Sequence, residues 1–208
     1  MKDLAKDTQS SAPKPKILLL GGGGHCRSCI DVIEQEGRYE IAGILDTKEM
    51  IGEKILGYSC IGTDDDIGTL AKEGYHFLIT VGQIKTPSVR KKLFALLEKS
   101  HASLATVISP RAYVSRHATL GKGTIVMHDA LVNAAVTVGT NCIINTKALI
   151  EHDATVEDFC HISTAAVING GVHVKEGTFV GSNSVSREYI ATEENDFIKA
   201  GSLYKGRL

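Results

Sequence analysis

The sequence predicts two joined architectures: a small α/β domain, then an all-β parallel helix. Three observations predict them. An aliphatic residue opens every block of six from Val114 and Leu120 through to Val174 and Val180, twelve times without a slip. The fifth position of each block is small or β-branched, from Ala118 and Thr124 to Thr178 and Ser184. Ahead of this repeat, short apolar runs alternate with amphipathic segments. Neither the 3.6-residue period of a helix nor the two-residue period of a strand generates a strict period of six. Six residues make one short side and a corner, and three sides close a coil. The first position fills the prism, and the fifth sits inside near a corner with room only for a small side chain. A sandwich of short strands would instead need turn signals every 8–12 residues, and none is spaced that way.

Composition is that of an ordinary globular chain, 43% hydrophobic and 23% charged. With 208 residues, length alone allows one or two domains. A net charge of −1 gives no broad basic field for nucleic acid. No apolar run is long enough to span a bilayer, and the N-terminus lacks the apolar core of a signal peptide, so the cytoplasm is the expected compartment. Five cysteines at irregular spacing do not suggest a disulfide framework.

Residues 1–15 are polar, carry two prolines and show no period, as a disordered tail or a linker does. Lys16–Leu20 is a first strand, running into Gly21–Gly24 and His25. An amphipathic helix follows from about Cys26 to Glu36. Tyr39–Leu45 is a second strand ending at Asp46. One of Asp64, Asp65 and Asp66 is expected to cap a short helix over Ile67–Lys72. His76–Val81 is a third strand ending at Gly82. Thr86-Pro87-Ser88 opens a helix to about Lys99, and Leu104–Ile108 is a fourth strand. Strand–helix alternation of this kind implies a parallel sheet covered by helices. The expected organisation is therefore a Rossmann-like nucleotide-binding domain over 16–108 and a β-helix over 109–208.

The glycine run lies where a strand passes into a helix, a turn that brings backbone N–H groups up to a phosphate. Gly21 and Gly23 fit the dinucleotide fingerprint, but Cys26 stands at its third glycine. Asp46 is about where a ribose-binding acid would lie. A tight turn that needs glycine for backbone reasons is the competing account. Cys26 and Cys29 form a C-x-x-C without a partner pair, so neither zinc nor redox chemistry is indicated. Cys142 and Cys160, eighteen apart, would stack as core filler. Most histidines of the repeat are expected to be solvated. His152 differs because Glu151 and Asp153 flank it, and a neighbouring carboxylate orients an imidazole and makes it more basic.

Gly21–His25, Leu45-Asp46, Val81-Gly82, Ile144-Asn145-Thr146, Ile150–Asp153 and Phe159–Ser163 together resemble the sialic acid O-acetyltransferase family of hexapeptide-repeat proteins. Within it the chain is most similar to bacterial UDP-4-amino-sugar N-acetyltransferases of the bacillosamine and protein glycosylation pathway. The resemblance implies a left-handed β-helix, an exception to the right-handed crossover rule, and a homotrimer with active sites between adjacent prisms. It implies acetyl-CoA as cosubstrate, with no metal, and N-acetylation of a UDP-linked amino-trideoxy sugar for glycan biosynthesis. It gives His152 the role of general base, supported by Asp153, where relatives often have glutamate. Asn145 would line the same site. His161, Gly170, Gly181 and Ser182 would contact acetyl-CoA, and Gly23, Gly24, His25, Asp46 and Gly82 would cradle the nucleotide-sugar.

Some relatives are fused to a membrane sugar-phosphate transferase, a role that residues 1–15 would serve as linker. The chain lacks the valine-proline-alanine-lysine segment that closes many relatives, and the repeat fades after Val185, with Ile198–Leu203 as a last capping side. Two other functions fit the scaffold. One is O-acetylation of a sialic-acid-like sugar. The other is a γ-carbonic-anhydrase-like zinc hydratase, which would need three converging histidines; the spacings of His117, His128, His152 and His161 do not show that.

Overall fold

The computed structural model describes residues 13–206. The segment read as a tail or linker therefore lies almost wholly outside the described residues. The N-terminal sheet contains β1 (Lys16–Leu20), β2 (Glu40–Leu45), β3 (Lys54–Ile55), β4 (Tyr58–Gly62), β5 (His76–Ile79) and β6 (Ser103–Leu104), in the order β3-β4-β2-β1-β5-β6. All neighbours are parallel except β3 and β4, which form a hairpin. Helices α1 (Gly24–Glu36), α2 (Ile67–Lys72) and α3 (Ser88–Lys99) cover the sheet. Leu18, Leu20, Leu45, Phe77 and Ile79 face α2 and α3, while Ile17, Leu19, Ile44 and Leu78 face α1. Strands buried on both faces read as continuous apolar runs, which is why β1 was legible.

Three details differ from the sequence reading. The β3–β4 hairpin has no counterpart in the sequence reading: β3 is two residues long, and β4, Tyr58-Ser59-Cys60-Ile61-Gly62, is neither an apolar run nor a clean alternation. Asp66 stands at the N-cap of α2, one of the three expected aspartates, but its side chain makes no bond into α2 and instead caps the preceding 3₁₀ turn together with Thr63. The Thr63 hydroxyl accepts from Asp65 N–H, and Asp66 accepts from Thr63 N–H at 2.8 Å, a capping box on a 3₁₀ turn that leads into α2. The stretch Leu104–Ile108 is two strands rather than one: β6 closes the sheet, and β7 (Val107–Ile108) pairs with Ile125–Val126 as the first rung of the prism.

The second part is a left-handed parallel β-helix with strict 18-residue stacking, Ile125 on Ile143 on His161 on Phe179 on Phe197. First- and fifth-position side chains fill the prism from Val126 to Ile198. From Leu120 on, the fourth position of each block is left-handed, at Asp129, Ala135, Asn141, Lys147, Asp153, Phe159, Ala165, Asn183, Tyr189 and Asn195, and is glycine at Gly123, Gly171, Gly177 and Gly201. Each non-glycine corner costs roughly 1–2 kcal/mol of backbone strain, offset by the stacking of coils.

The prism does not end at Val185. Val185 pairs with Leu203, Phe179 with Phe197, and His173 with Ala191. The last sides are Phe197–Ile198 and Leu203–Tyr204, which corrects the expected single cap over Ile198–Leu203. The apolar signal fades because Ser186 and Thr192 take first-position sites. Both are buried, and their hydroxyls accept from Asn169 N–H at 2.9 Å and Lys175 N–H at 2.8 Å. Such bonds contribute about 0.5–1.5 kcal/mol each, enough to keep a polar side chain in a rung.

The residues that point outward give the three faces different characters. The first face carries Ile125, Ile143 and His161, buried beneath the N-terminal domain. The second carries Tyr113, Leu131, Leu149, Val167, Val185 and Leu203, half-buried or exposed. The third carries Thr119, Thr137, Thr155 and His173.

Candidate active site

The four glycines after β1 divide into two pairs. Gly21 has φ +100°, and a Cβ there would fall 2.4 Å from Val81 Cγ2; one on Gly22 would fall 2.5 Å from Ile55 Cδ1. These two are glycine because the turn and the packing require it. Gly23 and Gly24, where α1 begins, face open space. The helix N-terminus is thus approachable, with its unpaired N–H groups directed outward. Asp46 Oδ2 accepts from Gly22 N–H at 2.5 Å and Oδ1 from Thr47 N–H at 2.7 Å. Asp46 therefore braces the glycine turn itself, and each oxygen keeps a second lone pair for a ligand. Beside it a cleft of about 980 Å³ opens between Asp46, Thr47 and Lys48 on one side and Val89, Lys92 and Leu96 of α3 on the other.

His25 lies half-buried in the first turn of α1, and a Cβ added at Gly82 would stand 3.5 Å from its Cβ. Its ring centroid is 6.3 Å from that of His161. His161 Nδ1–H donates to Gln83 O at 2.6 Å, so Nε2 is the acceptor for Asn145 Nδ2–H at 3.0 Å. Burial first, then His161 and Arg90, push His25 down to about 3. Burial, with Arg90 opposed by the Gln83 bond, holds His161 at about 4. Both imidazoles are neutral near pH 7.

Arg90 is wholly buried and donates to Ile79 O, Val81 O, Asn141 O and Asn141 Oδ1 at 2.5–3.0 Å. It ties the end of β5 to a left-handed corner of the prism. Gln83 adds a bond to Gly177 O at 3.2 Å, and Lys91 pairs with Glu176 at 2.5 Å. Gln83 and Arg90 were absent from the sequence reading. An arginine in an amphipathic helix carries no sign that it will be buried.

His152 and Asp153 occupy the corner between the second and third faces. Asp153 is left-handed, with φ 60°, and its Oδ2 accepts from His152 Nδ1–H at 2.8 Å. That bond leaves Nε2 as the basic nitrogen. Glu151 turns away, accepting from Asn133 Nδ2–H at 2.7 Å and His152 N–H at 3.3 Å. One coil on, Gly170 lies under the imidazole: a Cβ there would fall 2.8 Å from His152 Cε1 and 2.9 Å from Nε2. The Gly170 N–H donates to no acceptor among the described residues, since Asn169 turns its amide to Ser186 O at 2.6 Å.

The structure thus brings His152, Asp153 and Gly170 together. It gathers His25, Gly82, His161 and Asn145 into a second group, near Gly23, Gly24 and Asp46. Within one chain the two groups lie on different corners, at opposite edges of the second face. Gly181 is buried, and its missing side chain makes room for Ala200 N, 2.4 Å from a Cβ position. Ser182 Oγ is 3.0 Å from Ser163 Oγ. Both belong to the Asn145 corner. Among the described residues no three His, Cys, Asp or Glu side chains gather as metal ligands would, and no helix is long and apolar enough to cross a membrane. Cys26 and Cys29 are buried in α1, with their thiols raised by burial.

Residues 16–97 match the PglD N-terminal domain family. Among solved structures, the chain is similar to PerB from Caulobacter crescentus in complex with CoA and GDP-perosamine. Identity is 28%, covering 93% of this chain and 90% of that one, with a TM-score of 0.86. It is similar to the acetyltransferase domain of PglB from Neisseria gonorrhoeae in complex with acetyl coenzyme A, at 25% identity over 93% and 94% of the two chains, TM-score 0.82. WeeI from Acinetobacter baumannii shares the fold, at 15% identity over 91% and 96%, TM-score 0.62. No curated protein sequence compared with the chain matches it.

Proposed function

We propose that this hexapeptide-repeat protein is an acetyl-CoA-dependent N-acetyltransferase whose acceptor is the 4-amino group of a UDP-linked amino-trideoxy sugar, used in bacterial glycan biosynthesis. The observation that carries the reading is the His152–Asp153 pair, with its basic nitrogen free above Gly170. The acceptor amine attacks the thioester carbonyl, forming a C–N bond. His152 Nε2 takes the amine proton, the C–S bond breaks, and the imidazolium returns the proton to the departing thiolate. Asp153 holds the tautomer and stabilises the transient imidazolium. Gly170 N–H is the candidate donor to the oxyanion. Thiolate leaves readily, so no covalent enzyme intermediate is needed.

The N-terminal cradle supports a nucleotide-linked acceptor. The α1 N-terminus suits a diphosphate, and the cleft along Asp46, Thr47 and Lys48 suits a nucleoside. Assembly as a homotrimer explains how the two corner groups make one site. The second face is apolar and uncovered, and His152 and Asn145 flank it. Packing three such faces about a common axis sets the His152 corner of one subunit beside the Asn145 corner of the next.

The test is thiol release from acetyl-CoA with a panel of UDP-, GDP- and dTDP-linked 4-amino sugars, and with free and CMP-linked sialic acid. Release with the UDP-amino-sugar alone is expected. Release with sialic acid alone would make the enzyme an O-acetyltransferase. His152→Ala should lower turnover by about 10²–10⁴-fold while CoA binding persists; near-normal turnover would remove His152 from the mechanism.

A further inference from the structure

Gly170 and Gly171 are the only adjacent glycines within the repeat, and each is filled by an aromatic ring from another coil. His152 leans over Gly170 from the preceding coil. Tyr189 leans over Gly171 from the following one, its Cδ1 and Cε1 2.4 and 2.5 Å from where a Cβ would stand. The glycine pair is therefore a bare strip of backbone between two rings.

Tyr189 is unlike its counterpart elsewhere. Two left-handed corners of the prism carry aromatic residues, Phe159 and Tyr189. Phe159 packs edge-on against Phe94 of α3 at 5.3 Å, with Lys91 over its face. Tyr189 is 75% exposed. A bulky residue at positive φ whose ring stays in solvent is a feature to be explained by what it binds. It lies two coils beyond His152, about 10 Å along the prism axis at the usual strand spacing. In its own coil and the next, Arg187 and Lys205 stack at one register of the same corner, both exposed, with Glu188 beside Arg187. In the other direction from His152 lie Glu151 and its partner Asn133, then, past Ala134 and Ala135, the exposed pair Arg116 and His117 two coils back, with no aromatic ring before them.

We infer that Tyr189 is a binding residue for the arm of the thioester cosubstrate. The arm leaves His152 across the Gly170–Gly171 strip and lies on the Tyr189 ring, with its phosphates toward Arg187 and Lys205. This rests on the acetyl-CoA reading above. A flexible arm that carries phosphates needs a platform near the chemistry and cations to meet its phosphates. Cations stand in both directions along the corner, but the aromatic platform, Tyr189 with Arg187 beside it and Lys205 beyond, stands in this one.

The experiment compares wild type, Tyr189→Ala and Tyr189→Phe. Alanine already occupies the same left-handed position at Ala135 and Ala165, so the variant keeps the corner. Calorimetry with CoA and steady-state kinetics would be measured, with assembly mass as a check. Tyr189→Ala should weaken CoA binding and raise KM for acetyl-CoA by about tenfold, as loss of one aromatic contact does. Turnover and KM for the amino-sugar should stay within about twofold, and Tyr189→Phe should behave as wild type. Equal CoA affinity in wild type and Tyr189→Ala overturns the assignment and leaves the acetyl-CoA reading intact. A wild type that binds no CoA overturns both. A Tyr189→Ala protein of reduced assembly mass also overturns it, since the ring would then be a contact between copies.

Discussion

Single atoms decide the chemistry proposed for the His152 corner. The imidazole is held by one bond to Asp153 and by the absence of one carbon at Gly170. Gly170→Ala would put a methyl group 2.8 Å from His152 Cε1, so the ring must swing and the Asp153 bond must lengthen. Turnover should fall by about ten- to a hundredfold, the scale of an ångström-sized misplacement, with KM for the amino-sugar nearly unchanged; unchanged turnover would show that the ring position is not critical. The histidines at the seam make a second prediction. His161, at about 4, lies below its ordinary value of 6.5. The unfolded chain therefore takes up protons as pH falls below about 6.5, while the folded chain does not until about 4. This contribution is present in full above pH 6.5 and is lost as pH falls toward 4. His161→Gln keeps a donor for Gln83 O and an acceptor for Asn145, so its melting temperature should fall less between pH 7 and 4.5 than that of wild type. Parallel acid limbs would mean that His161 is not the titrating group.

At the scale of elements, the end of one strand and the start of one helix make the cradle. β1 stops at Leu20 because Gly21 takes a positive φ that suits no other residue against Val81. α1 starts at Gly24 with no acidic side chain in its first turn, so its N–H groups are not already occupied by protein carboxylates. In the prism the element is the six-residue side, and its sixth position decides what covers each face. Ile125 and Ile143 go to the face beneath the N-terminal domain, followed there by His161, Phe179 and Phe197; Thr119, Thr137 and Thr155 go to the third face, followed by His173; tyrosine, leucine and valine go to the second. This eighteen-residue alternation is present in the sequence, but it becomes readable only once three sides are known to make one coil.

The whole molecule is a sheet domain seated on one face of a prism, held by Arg90, Gln83 and His161 across the seam. The uncovered apolar face is where copies should meet. Val167→Asp places a carboxylate in the middle of that face, and burying an unpaired charge there is strongly unfavourable. On the homotrimer proposed above, sedimentation should show a fall from three chain masses to one, with acetyl transfer lost as the His152 and Asn145 corners separate. A variant that stays assembled and active would place the contact on another face.

The hexapeptide period, the strand-to-helix glycine turn and the Glu151-His152-Asp153 cluster were legible in the chain alone. Each is a local pattern with its own spacing, set by backbone geometry that repeats from residue to residue. The last coil was not legible, because Ser186 and Thr192 keep their rungs by hydrogen bonding rather than by apolarity. Tertiary structure alone decided that Val107–Ile108 belongs to the prism, and that Asn145 and His161 stand with His25 rather than with His152. It also decided that Arg90 is buried and that two rings close on Gly170 and Gly171. These are contacts between residues tens of positions apart, made by the docking of one domain on another or by the stacking of coils. No local period records which side chains such docking will bring together.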